Sequence, residues 1–145
     1  QNFFFFFLKN VVQADAQKYG TTKVNFVGHS MGNIIIMSYL NDNITDRSLP
    51  RVSHIAVLAG GLFPGYNQTA NLQQNLPAGL KVLNVYSNYA NGTDTRVPNK
   101  YSRRLRPVFK NAKQYKEVKL HGLKHSQIHE SPKVDKILIN FLFNN

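Results

Sequence analysis

Two kinds of apolar pattern alternate along the chain. Short, nearly unbroken apolar runs occur at Lys23–Gly28 (KVNFVG), Val52–Ala59 (VSHIAVLA), Leu80–Tyr86 (LKVLNVY) and Tyr115–Leu120. Runs of this length, bounded by glycine, proline or polar residues, predict strands covered on both faces. Between them the spacing becomes helical. Residues 6–19 predict a helix ending at Tyr19-Gly20, with glycine where a helix favours a left-handed residue. Met31–Leu40 predicts a second helix. Its Ile34, Ile35, Ile36 and Met37 make it too apolar for a surface helix, and Asn41, Asp42 and Asn43 are expected to stop it. A short helix is predicted over Asn99–Arg106, before Pro107. The last is the clearest: Ser131 as cap, Pro132 in the first turn, then Val134, Ile137, Leu138, Phe141 and Leu142 at helical spacing.

Residues 62–79 carry Pro64, Gly65, Pro77 and Gly79 with little periodicity and predict a long loop or a small cap or lid; residues 88–98 predict a turn-rich loop. Apolar strands alternating with helices imply one α/β domain over residues 1–145, with about four parallel strands flanked by helices.

Composition narrows the chemistry. The 145 residues are 42% hydrophobic and 17% charged, the balance of a globular chain, and contain no cysteine. That excludes a disulfide framework, a thiolate nucleophile and a Cys-ligated zinc site. The net charge of +11 is uneven. Arg96, Lys100, Arg103, Arg104, Arg106, Lys110, Lys113, Lys116, Lys119 and Lys124 fall in one stretch, opposed within it only by Glu117. Such a stretch can make peripheral contact with an anionic polymer or membrane. No zinc-finger spacing, aromatic-basic RNA motif or long basic helix accompanies it, so no specific nucleic-acid partner is expected. The run Phe3–Leu8 is far shorter than the roughly 20 residues a membrane span needs, and no basic leader precedes it. It is expected to begin a buried helix. Consecutive phenylalanines cannot all face one way, however, so some should await a partner segment. Gln1 in place of Met points to residues upstream.

Gly28-His29-Ser30-Met31-Gly32 matches G-x-S-x-G between a predicted strand and a predicted helix. That context is the nucleophile elbow, a strained turn that lifts a serine hydroxyl above the carboxyl edge of a sheet. Gly28 and Gly32 are expected to let strand and helix approach, and the Met31 N–H to face a developing oxyanion. A serine hydroxyl needs an imidazole base, and the base needs a carboxylate to hold its tautomer. In this fold they follow in the order serine, acid, histidine. Asp94, in the loop after the third strand, and His125, in the loop after the fourth, satisfy that order. Asp42 and Asp46 follow the elbow helix toward the far end, and Asp135 lies in the last helix. Among the histidines, His129 is the nearest rival. His121 should end the fourth strand, His29 should pack or hydrogen-bond within the elbow, and His54 should lie on the sheet. His121, His125 and His129 at four-residue intervals, with Glu130, would suit zinc on a helix, but Gly122 and the preceding strand argue against one there, and no metal is expected.

The blocks KVNFVGHSMGN, LAGGLFPGYN, NGTDTRVPNKYS and HSQIHESPKVDKILINFLF resemble successive segments of the lipase-like α/β-hydrolases of Gram-positive bacteria, often labelled cell-surface hydrolases of unknown function. The resemblance runs from about residue 8 to 143. It implies the C-terminal portion of an α/β-hydrolase fold, Ser30 as nucleophile, Asp94 as acid and His125 as base. It departs at Asn33, where the family usually has glycine, a change expected to alter packing more than chemistry. The family also carries early strands, and the loop giving a second oxyanion donor, ahead of the elbow helix. That implies a missing N-terminal segment or a companion chain. The expected activity is cleavage of a small-molecule or lipid ester through an acyl-enzyme, without cofactor. The resemblance leans toward an extracellular or cell-surface setting, with the cytoplasm as the alternative. The competing reading is an inactive or truncated hydrolase-fold module that binds an anionic polymer or membrane through residues 96–124.

Overall fold

The computed structural model describes residues 3–144, with side chains described from residue 7 onward. In chain order it forms helix α1 (Phe3–Tyr19), strand β1 (Lys23–His29), α2 (Gly32–Asn43), β2 (Arg51–Leu58), α3 (Ala70–Gln74), β3 (Lys81–Asn88), α4 (Asn99–Ser102), α5 (Leu105–Val108), β4 (Gln114–His121) and α6 (Pro132–Phe143). A 3₁₀ turn at His125–Gln127 precedes α6. The four strands form one parallel sheet in the order β1-β2-β3-β4. This is the parallel α/β sheet flanked by helices that the alternation of patterns predicts.

Strand alternation divides the core in two. On one face Phe26, Val52, Ile55, Val57 and Val82 pack under Val12 of α1, Met37 and Leu40 of α2, Leu72 of α3 and Leu105 of α5. On the other, Ala56, Leu58, Leu83, Val85 and Leu120 meet Ile128 and Val134 and Phe141 of α6. The β1 end is less covered: Val27, which alternates with Phe26 and Gly28, is 47% exposed.

Element ends depart from the pattern where local bonds decide them. The first helix begins at Phe3 rather than at residue 6. Phe7 is 62% exposed, against the expectation of a buried start. The side chains of the preceding phenylalanines lie outside the described residues. Gly20 closes α1 as predicted, at φ +66° with its N–H on the Ala16 carbonyl. The helix α2 runs past Asn41 and Asp42 to Asn43, where the Ile44 N–H closes it on the Leu40 carbonyl and the Asn43 side-chain amide adds a bond to the Tyr39 carbonyl. The predicted helix over Asn99–Arg106 is instead two single turns. Pro107 sits inside the second, in its first turn, where an N–H has no helical acceptor to lose. Ser131 occupies the cap position of α6, but its side chain makes no capping bond; the Asp135 N–H takes the Ser131 carbonyl instead. The segment 62–79 leaves the carboxyl edge of the sheet, buries Leu62 and Leu72, forms α3, and returns at the opposite edge. No helix among the described residues is long and apolar enough to cross a membrane.

Candidate active site

Ser30 sits in a sharp turn between β1 and α2 with φ +55°, a left-handed backbone that costs a non-glycine residue energy. Its N–H is held by the Leu58 carbonyl at 2.9 Å, and its carbonyl by the Asn33 N–H at 3.2 Å, so neighbours on both sides enforce the strain. Gly28 is required: a Cβ there would lie 2.9 Å from the Gly32 carbonyl carbon and 3.0 Å from the Asn33 nitrogen. Gly32 is not. A Cβ at that position meets nothing within 4 Å, so close approach of strand and helix rests on Gly28 alone. Among the described residues no intramolecular acceptor takes the Met31 N–H. It stands at the start of α2, where the helix presents partial positive charge.

The three residues that the sequence picks out converge. His125 Nε2 lies 2.8 Å from Ser30 Oγ, and His125 Nδ1 lies 2.8 Å from Asp94 Oδ2. Asp94 is 1% exposed. Its other oxygen, Oδ1, accepts the N–H groups of Arg96 at 2.9 Å and Val97 at 2.7 Å, and its backbone carbonyl accepts the His125 N–H at 2.7 Å. The acid is thus fixed by its own loop and tied twice to the loop carrying the imidazole. This arrangement holds Nδ1 protonated toward Asp94 and leaves Nε2 as acceptor for the serine proton, the disposition that makes a hydroxyl nucleophilic.

A second group of contacts, which the sequence reading did not foresee, frames the turn. Asn33, where glycine was expected, is buried and pairs with the Gly61 backbone in both directions: its amide donates to the carbonyl at 3.1 Å and its oxygen accepts the N–H at 3.3 Å. Ser102 of α4 donates to the Gly60 carbonyl at 2.6 Å. The turn after β2 is thereby clamped between α2 and α4. The only sequence signal for it was the Gly60-Gly61 pair, since a buried side-chain amide has no periodicity of its own.

The other histidines fall into place around His125. His29 Nε2 lies 3.2 Å from the His125 carbonyl oxygen, and its ring centroid is 4.9 Å from that of His125 and 4.3 Å from that of His129. His54 packs edge-on against Phe141 on the sheet. His121 ends β4, and His125 and His129 occupy separate turns, so the three do not line one helix. Of the remaining acids, Asp42 lies in the last turns of α2, Asp46 accepts from Ser48, and Asp135 begins α6.

Burial pushes the His29 imidazole below the usual histidine range. Its bond to the His125 carbonyl opposes the shift, the nearby His129 and His125 rings reinforce it, and Asp94 opposes it. A histidine that resists protonation when folded binds fewer protons than in the unfolded chain, so stability falls as pH drops below about 6.5. His29→Gln removes that linkage while leaving an amide to donate to the carbonyl. The loss of Tm between pH 7 and pH 5 is expected to be smaller in the variant; an equal loss would place the acid sensitivity elsewhere.

Two concavities lie away from Ser30. One of about 570 Å³ opens at the far edge of the sheet between Leu40, Pro50, Val52 and Leu76. Beside the carboxyl edge, Phe63 is 42% exposed and meets Tyr101 edge-on at 5.4 Å.

The chain matches the model of a family described as alpha/beta hydrolase of unknown function (DUF915), over residues 5–64 and 62–145. Three solved structures share the fold over 98% of the chain. The product of gene lin2722 from Listeria innocua superposes with a TM-score of 0.86 at 24% identity, over 66% of its own length. A protein of Lactobacillus plantarum WCFS1 named as a cell surface hydrolase gives 0.76 at 18% identity, over 62% of its length. A protein of Thermoplasma acidophilum described as a CIB-like hydrolase gives 0.64 at 14% identity, over 59%. The chain therefore spans less than two thirds of each. No curated protein matches it.

Proposed function

Because the chain belongs to the alpha/beta hydrolases of unknown function (DUF915), we propose that it is a serine hydrolase cleaving carboxylic esters, with Ser30, His125 and Asp94 as its catalytic residues. The observation that carries the reading is the unbroken line of hydrogen bonds, 2.8 Å and 2.8 Å, from the Ser30 hydroxyl through His125 to a buried Asp94. Ser30 Oγ attacks the ester carbonyl as His125 Nε2 removes its proton. Asp94 stabilises the imidazolium, and the Met31 N–H donates to the oxyanion. His125 returns the proton to the leaving alcohol. The acyl-enzyme is then released by a water that His125 activates in turn. These steps use only this chain's residues and water. The apolar pair Phe63 and Tyr101 supports an acyl group on the side of the β2 exit turn.

We also propose that a further segment, covalent or separate, pairs with the outer edge of β1 and supplies the second oxyanion donor. The uncovered Val27 and the position of β1 at the end of the sheet support this. Action at the cell surface is supported by the name of the Lactobacillus plantarum neighbour.

Intact-mass measurement of the full-length protein after exposure to a fluorophosphonate tests the assignment. One covalent adduct is expected, absent from Ser30→Ala. A folded protein that takes up no probe, or an adduct that survives the substitution, overturns it.

A further inference from the structure

The loop that holds Asp94 has an outer side that faces away from His125. There a concavity of about 770 Å³ is lined by Arg96, Lys100, Arg103 and Lys119, together with Thr93 and Thr95; neither Ser30 nor His125 lines it. All four cations are exposed, and among the described residues none has a carboxylate within salt-bridge distance. The acids nearest in sequence are engaged elsewhere. Asp94 is buried with both oxygens turned to His125 and to its own loop, and Glu117 is paired with Arg106 and Tyr115. Of the basic stretch, Lys124 lies over the Tyr89 ring and Arg106 on Glu117, while Lys100 of the concavity lies over the Tyr101 ring and keeps its charge without a carboxylate.

Like charges drawn around one hollow repel one another unless an anion occupies it. The backbone beneath them is also strained. Thr95, between Asp94 and Arg96, has φ +90°, rare for a β-branched residue, and the Thr93 hydroxyl pins it by accepting its N–H at 3.1 Å. Such strain persists where surrounding structure over-determines a conformation, commonly at functional sites. Arg96 and Arg103 present guanidinium forks suited to the oxygens of a phosphate. The hollow is open to solvent rather than enclosed, so a chain can lie across it.

We propose that this concavity is a binding site for a linear polymer bearing phosphate groups, held by Arg96, Arg103, Lys100 and Lys119 on the outer side of the acid loop. The site is independent of the ester chemistry and requires none of its residues.

The test is calorimetric titration of the full chain with linear polyphosphate across a range of salt concentrations. Two triple variants remove the same charge from different places: R96A/R103A/K119A in the concavity and K18A/K133A/K136A on α1 and α6. Saturable binding is expected, weakened about a hundredfold with a flatter salt dependence in the first variant. The second variant should change affinity by no more than a few-fold. Equal weakening in both would reduce the effect to net charge and overturn the site. So would absence of saturable binding at low salt, or equal affinity for polyglutamate of matched charge. Far-UV circular dichroism checks that both variants fold, and the single substitution K100A, expected to weaken binding several-fold, serves if the first triple variant does not.

Discussion

Ser30→Ala is expected to lower kcat for hydrolysis of a p-nitrophenyl ester by about a millionfold, the scale found when the nucleophile of a serine hydrolase is removed. The reason lies in how, on the proposed mechanism, the three side chains share one task. His125 Nε2 is placed 2.8 Å from Ser30 Oγ. Without the hydroxyl, the imidazole can only activate water that nothing positions. Asp94→Asn should cost less, about ten-thousandfold, because an amide can still bond Nδ1 but favours the wrong tautomer. It must also keep accepting from Arg96 and Val97, which its oxygen can do, so the loop should survive. The double variant S30A/H125A should be no worse than S30A alone, since the residues act as a unit. Steady-state kinetics on the full-length protein decide the matter. A loss of less than tenfold in S30A would mean that another group attacks the ester.

How the site could be read in the sequence follows from what each residue is asked to do. The elbow is local: its glycine, its serine and the apolar runs on either side lie within a few residues, so G-x-S-x-G in the right setting announces it. Asp94 and His125 were reachable by order along the chain, because parallel strands send their following loops to one edge. The clamp of Asn33 and Ser102 on Gly60-Gly61 was not reachable, because each bond joins backbone to a side chain 28 or 42 residues away. The grouping of His29 and His129 about His125 is of the same kind, fixed by how two loops meet. Helix ends erred for a related reason. Pro107 and Asn41-Asp42 are read from sequence as stops, yet a proline in a first turn loses no bond, and the Ile44 N–H closes α2 beyond Asn41 and Asp42 on the Leu40 carbonyl.

Gly61→Ala is expected to destabilise the protein by about 2–3 kcal/mol, seen as a drop in Tm of roughly 4–10 °C. A Cβ at this position would lie 2.8 Å from the Tyr101 carbonyl carbon, 2.9 Å from the Ser102 nitrogen and 2.9 Å from the Tyr101 oxygen. These atoms are backbone and cannot swing aside as a side-chain tip can. Relief requires α4 to move, and α4 is bound at both ends. Its Ser102 holds the Gly60 carbonyl, and the Asn99 N–H holds the Gly92 carbonyl in the acid loop. The strain should therefore reach Asp94 and lower kcat as well. Gly32→Ala is the control within the same neighbourhood, since its added methyl meets open space. It should leave Tm within about 1–2 °C. If Gly61→Ala proves equally mild, the turn is more compliant than its contacts indicate.

Ser30 and His125 stand 95 residues apart in sequence, and Asp94 and His125 stand 31 apart. Each connection spans parallel strands that cannot pair until a crossover has folded between them. The strained turn at Ser30 is set by Asn33 beside it and by the Leu58 carbonyl of β2, but the His125 ring, its proposed base, arrives only with the docking of β4, the last of the four described strands and the outermost at its end of the sheet. Contacts of such long range form slowly, because loop closure must be completed before they reward it. As the proposed nucleophile, Ser30 is therefore without its base while the chain is incomplete: a nascent polypeptide carries the elbow well before it carries His125. On the proposed function, hydrolytic competence is the final product of assembly and waits on the docking of β4.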